Sequence, residues 1–136
     1  MSITLVQIHD AVYARLAGQI TDVTIAPGLK EPGSTTGIVF DLNLRVDRNL
    51  NSRHSGCWIG DLVFRCYADL ARDCADLADR VMAALEETGG WEEGDVLGLM
   101  SGQPTTYQSM TDAPNDGTDD AGRWAVLTFP MIFKEA

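Results

Sequence analysis

The sequence predicts an α+β fold, an antiparallel or mixed sheet of about four to five strands with two α-helices packed on one face. Three observations lead there. Leu5–Leu16 and Leu70–Leu85 repeat apolar residues at helical spacing. Ile38–Asp47 and Cys57–Ala68 alternate at the strand period. Arg123–Lys134 is apolar on both faces, as in a strand at the centre of a sheet or at a subunit interface.

In chain order, Leu5, Ile8, Val12 and Leu16 line one helical face. Thr4 and Gln7 are placed to form a capping box, and Gly18 supplies a stop. His9 falls off the apolar face and is expected to be solvated. Residues 20–37 are turn-rich, with "APG" and "EPGSTTG", and Val23–Ile25 offers a short edge strand. The glycines there lack P-loop spacing.

In "IVFDLNLRVD", Phe40, Leu42, Leu44 and Val46 point one way, and Asp41, Asn43, Arg45 and Asp47 the other. A polar tract, "RNLNSRHSG", leads to the next strand. There Trp58, Leu62, Phe64, Cys66 and Ala68 share one face, and Cys57, Ile59, Asp61, Val63, Arg65 and Tyr67 the other. Asp69 is the expected N-cap of a helix over 70–88 whose stripe is Leu70, Cys74, Leu77, Val81 and Leu85. Gly89 and Gly90 end it. Asp95–Met100 and Thr105–Met110 are candidate strands. "TDAPNDGTDDAG" is acidic and poor in apolar residues, a mobile loop by composition. In the final strand Trp124, Val126 and Ile132 oppose Leu127, Phe129, Met131 and Phe133, and Pro130 argues for an edge or a bulge.

At 136 residues the chain is expected to be one domain, 1–136, able to bury a core without staples. Ten basic against twenty acidic residues give a net charge of −10, which disfavours a basic-patch nucleic-acid binder and an anionic membrane surface. The N-terminus lacks the basic region and cleavage site of a signal peptide. Three cysteines without framework spacing fit a reducing compartment, the cytoplasm of the producing cell.

No catalytic constellation assembles. Cys57 and Cys66 fall on opposite faces of one strand and cannot meet at one ion, whereas Cys66 and Cys74 can meet between sheet and helix. Two cysteines alone make a poor metal site and are read as small buried hydrophobes. His54 beside Cys57 is the one nucleophile–base pair within sequence reach, and it lacks a third group. Asp73, Asp76 and Asp79 lie on a wet helix face. Asp112, Asp116, Asp119 and Asp120 lack EF-hand spacing and are read as a solvating or contact loop. Neither an enzyme nor a cofactor or metal is expected.

The order of elements, the "IVFDL" strand, the block "LVFRCYADLARDCADLADRVMAAL" with Tyr67-Ala68 running into an Ala/Asp/Leu-rich helix, and the closing "WAVLTFPMIF" together resemble the tail terminator (tail completion) proteins of long-tailed bacteriophages. The resemblance spans most of the chain and is weakest over 89–122. It implies a structural virion protein of the tail and neck, assembled in the host cytoplasm. Such a subunit forms a homo-oligomeric ring, usually a hexamer, on the head-proximal end of the tail tube. The ring stops tube polymerisation and offers a docking face to the head–tail connector protein, and DNA passes through its lumen without specific binding. On this reading Asp61, Arg65, Tyr67, Phe129 and Met131 are candidates for the ring interface or lumen. Arg48, Asn51, Arg53, His54, Asp112, Asp116, Asp119 and Asp120 are candidates for contacts with the tube protein or the connector. The alternatives are another head–tail joining or minor tail protein, or a small cytosolic ligand-binding α+β module.

Overall fold

A computed structural model describes residues 3–29, 35–48, 54–87, 89–110 and 123–136, with the backbone alone at 47, 48, 54, 55 and 110. Two helices and a mixed seven-stranded sheet make up the α+β fold, with more strands than the sequence predicts. The strands are β1 (Thr24–Pro27), β2 (Gly37–Arg48), β3 (His54–Ala68), β4 (Trp91–Glu93), β5 (Val96–Met100), β6 (Thr106–Met110) and β7 (Arg123–Glu135). They lie in the order β1-β2-β3-β7-β5-β4, with β6 also on β7. β1 runs parallel to β2, which makes the sheet mixed, and every other pairing is antiparallel. The expected edge strand at Val23–Ile25 is present one residue later, as β1.

The three long strands form the centre. β2 pairs with β3 from Gly37↔Tyr67 to Arg48↔His54, with an irregularity between Val46 and Arg48. β3 pairs with β7 from Cys57↔Lys134 to Ala68↔Arg123. Alternation then assigns the faces. Ile38, Phe40, Leu62, Phe64, Cys66, Leu127, Phe129, Met131 and Phe133 join one buried cluster with the helices.

Helix α1 (Leu5–Gln19) opens with the expected capping box: the Gln7 amide donates to Thr4 Oγ1 and the Thr4 amide to Gln7 Oε1. It runs one residue past Gly18 and buries Ile8, Ala11, Val12 and Leu16. Leu5 is exposed, and His9 is half-buried with its ring centroid 5.4 Å from that of Phe40. Helix α2 (Ala71–Leu85) buries Cys74, Leu77, Ala78, Val81, Ala84 and Leu85 against the same sheet face. Its N-cap is Leu70, without a side-chain capping bond, rather than the expected Asp69. Leu70 is itself 61% exposed, because the helix begins one residue later than the stripe suggests. The two helices are tied at their rims. Arg15 Nε donates to the Ala84 carbonyl at 2.7 Å and its Nη2 reaches Glu87 at 2.7 Å.

β4 is a strand that sequence periodicity does not reveal. Trp91 is 2% exposed and packs edge-on against Phe133, with ring centroids 6.0 Å apart. Its indole lies over Gly98, the partner residue in β5, where an added Cβ would come within 2.6 Å of two ring carbons. β5 and β6 share one edge of β7. β5 covers Met131–Glu135 and β6 covers Trp124–Thr128, and residues 101–105 span the interval. Pro130 lies in that interval, where no neighbour on this edge needs its missing amide hydrogen. The proline thus marks a handover between partner strands.

Candidate functional site

The sheet face turned away from the helices is the surface of functional interest. Register places Asp41, Asn43 and Arg45 of β2 on it, then Cys57, Ile59, Asp61, Val63, Arg65 and Tyr67 of β3. Val126, Thr128, Pro130 and Ile132 of β7 and Leu97 and Leu99 of β5 continue it. Ile59, Val63, Val126, Ile132, Leu97 and Leu99 are half-buried, so the middle of this face is apolar although neither helix packs on it. Among the described residues its charges are near balance, with Asp41, Asp61 and Glu92 against Arg45, Arg65 and Lys134. Among the described residues, acidic side chains gather instead on the exposed side of α2, with Asp73, Asp76 and Asp79.

Arg65 holds this face together at one end. Its Nη2 donates to the Gly28 carbonyl at 2.8 Å and to Asp41 Oδ2 at 2.8 Å, joining the turn after β1 to β2 and β3. The pair is part-exposed, so its value lies in fixing geometry more than in stability. At the other end, Arg45, Ile59, Asp61, Thr128 and Pro130 border an open groove of about 400 Å³, closed on its far side by Ser101, Gln103 and Pro104.

Of the residues singled out in the sequence, Asp61 and Arg65 are half-buried on the helix-free face, as the strand period requires. Tyr67 points the same way but is 0% exposed, stacked beside Trp124 at 5.1 Å between centroids and clustered with Val39. It is a packing residue and not a contact surface. Phe129 and Met131 are also corrected. Both are 0% exposed on the helix side, inside the main core, and cannot meet a neighbouring subunit. A strand apolar on both faces gives no sign of which face the helices take. Ile59 and Val63 on the second face of β3, with Val126 and Ile132 of β7, form the accessible apolar surface instead. Arg48 and His54 are paired through their backbones at the connected end of the β2–β3 hairpin. Asn51, Arg53, Asp112, Asp116, Asp119, Asp120 and the acidic loop lie outside the described residues.

Cys66 and Cys74 both lie in the buried seam between β3 and α2, at 0% and 1% exposure. Burial, and secondarily the nearby Cys74, push the Cys66 thiol up to about 12. Burial also raises the Cys74 thiol, whose Sγ lies 3.5 Å from the Arg123 carbonyl oxygen. Thiols held neutral are weak nucleophiles and weak metal ligands. Among the described residues, no three His, Cys, Asp or Glu side chains converge on a common ion position, and no helix is long and apolar enough to cross a membrane.

No family model matches the chain, and no match is found among curated proteins.

Proposed function

We propose that the chain is a ring-forming phage tail terminator. Its copies cap the head-proximal end of the tail tube, stop tube polymerisation and present the docking face for the head connector. The observation that carries this reading is the helix-free sheet face: a half-buried apolar centre with charges near balance around it, on which neither helix packs. A subunit that works alone gains nothing from such a face, whereas a ring uses it as subunit contact or lumen wall. Near-neutral charge there suits a channel through which DNA slides without being held. The chain's −10 charge, about −60 over six copies, opposes non-specific capture of DNA.

Light scattering and negative-stain microscopy of the purified protein test the reading. The expected result is a closed ring of several subunits that caps tail tubes at fixed length when added to polymerising tube protein. A stable monomer at high concentration, or tubes that elongate unchanged in its presence, refutes it.

A further inference from the structure

The helix-free face ends at two strand edges that no described residue pairs. β1 covers β2 only from Gly37 to Phe40, which leaves the outer edge of Asp41–Arg48 open. On the opposite margin of the sheet, β6 is paired to β7 on one side only. Open edges in natural proteins are commonly blunted by charge or proline. Thr106–Met110 carries neither.

We propose that neighbouring copies join by strand addition, β6 of one copy pairing antiparallel with the Asp41–Arg48 edge of β2 in the next. The sheets then run on without a break around the ring. This rests on the ring reading given above and specifies its interface.

The register can be worked out. Following the ladders across one copy, Gln108 is level with Val126, then Arg65, then Val39. Without a shift, β6 therefore lies level with Gly37–Asp41, most of which β1 already covers. Pairing with the open stretch of the next copy demands a shift along the strands. The shift must be even, so that residues on the helix-free face stay on it. A shift of two still overlaps β1, and a shift of eight runs past Arg48. Only shifts of about four and six residues remain. The first sets Gln108 opposite Asn43, the second opposite Arg45.

β2, β3, β7 and β6 alternate in direction, so the new contact continues the antiparallel pattern. The size of the shift is what closure needs. Four strands span roughly 19 Å across, and shifts of four or six residues advance roughly 13 or 20 Å along them. The strands then tilt by about 35° or about 46°, which brackets the roughly 35–45° of closed barrels. One heterologous contact repeated at this tilt forms a ring when its rotation closes, with the helices outside and the helix-free face lining the lumen.

Cysteine pairs test the contact in full-length protein carrying Cys57→Ser. One variant adds Gln108→Cys and Asn43→Cys, another Gln108→Cys and Arg45→Cys, all at exposed positions. Residues opposed across an antiparallel pair lie within disulfide reach. Mild oxidation of assembled rings is expected to give a ladder of covalent multimers up to the ring's own subunit number with one of the two pairs. The Gln108→Cys single variant and a Gln108→Cys, Glu92→Cys variant are expected to give none beyond dimer. Rings that form normally but show no ladder with either pair overturn strand addition and leave the ring reading standing. Failure of the parent protein to form rings overturns both. Cross-linked open fibres would keep the strand contact and overturn ring closure.

Discussion

Gly98 offers the sharpest test of how the sheet margin is built. The Trp91 indole lies on its Cα, and a Cβ there would sit 2.6 Å from Cε2 and Cζ2 and 3.0 Å from Nε1. Ordinary carbon–carbon contact is about 3.5–4.0 Å. The ring has little room to yield, since Phe133 meets it edge-on and the Arg15 guanidinium sits 5.9 Å from its centroid. Gly98→Ala is therefore an overpacking change, costing about 1–3 kcal/mol. Replacing glycine in a strand returns about 0.5–1 kcal/mol. The net loss is about 1–2 kcal/mol, read as a urea midpoint lower by roughly 0.5–1 M. Trp91→Leu removes the obstructing atoms. In that background Gly98→Ala should be neutral, or stabilising by up to about 1 kcal/mol, so the double-mutant cycle should show a coupling of about 1–3 kcal/mol. Urea unfolding followed by circular dichroism measures all four proteins. An equal cost of Gly98→Ala in both backgrounds would refute the steric account.

Two further perturbations follow from the packing and charge pairs. Cys66→Ala and Cys74→Ala, made singly, should each lower stability by on the order of 1 kcal/mol while ring assembly is unchanged; loss of assembly in a folded variant would overturn their reading as packing residues. Asp22 is held below its ordinary value of 3.8, first by the hydrogen bond from Arg80 at 2.6 Å. A carboxylate depressed in the folded state stabilises above its unfolded pKa and loses that contribution as pH falls through the folded value. Asp22→Asn should thus lower the urea midpoint from pH 7 down to about pH 4. The difference from the parent should close below that, and a difference that persists to pH 2 would contradict the assignment.

The centre of the fold is legible because three strands and one helix state their periods openly. Phe40, Leu42 and Leu44 against Asp41, Asn43 and Arg45 define the two faces of β2, and the same alternation separates Cys57 from Cys66. The spacing of Cys74, Leu77 and Val81 turns Cys74 into the buried seam that also holds Cys66. β4 escaped notice because three residues are too few to show a period, and only Trp91 over Gly98 anchors it. Asp69 looks like a cap but lies one residue too early, so Leu70 takes the position with no side-chain acceptor. Phe129 and Met131 misled for a different reason. Parity sorts β7 into two apolar faces, but the faces are told apart by where α1 and α2 land, and that is a tertiary choice. Tyr67 follows the same logic: its strand parity is right, and Trp124 across the ladder buries it.

Residues 101–105 give the chain a place where length is free to change. The ladders on either side of that interval are fixed independently, β5 by Met100↔Met131 and β6 by Thr106↔Thr128. Five residues bridge a gap that Phe129 and Pro130 span in β7, so the bridge already carries slack. Lengthening it disturbs neither ladder, and loop closure grows only slowly with size. Because Ser101, Gln103 and Pro104 border the groove on the helix-free face, a longer bridge would project over that face. In a ring of such subunits with that face inward, a longer bridge would narrow the channel, a change made by insertion or deletion without rebuilding the scaffold around it.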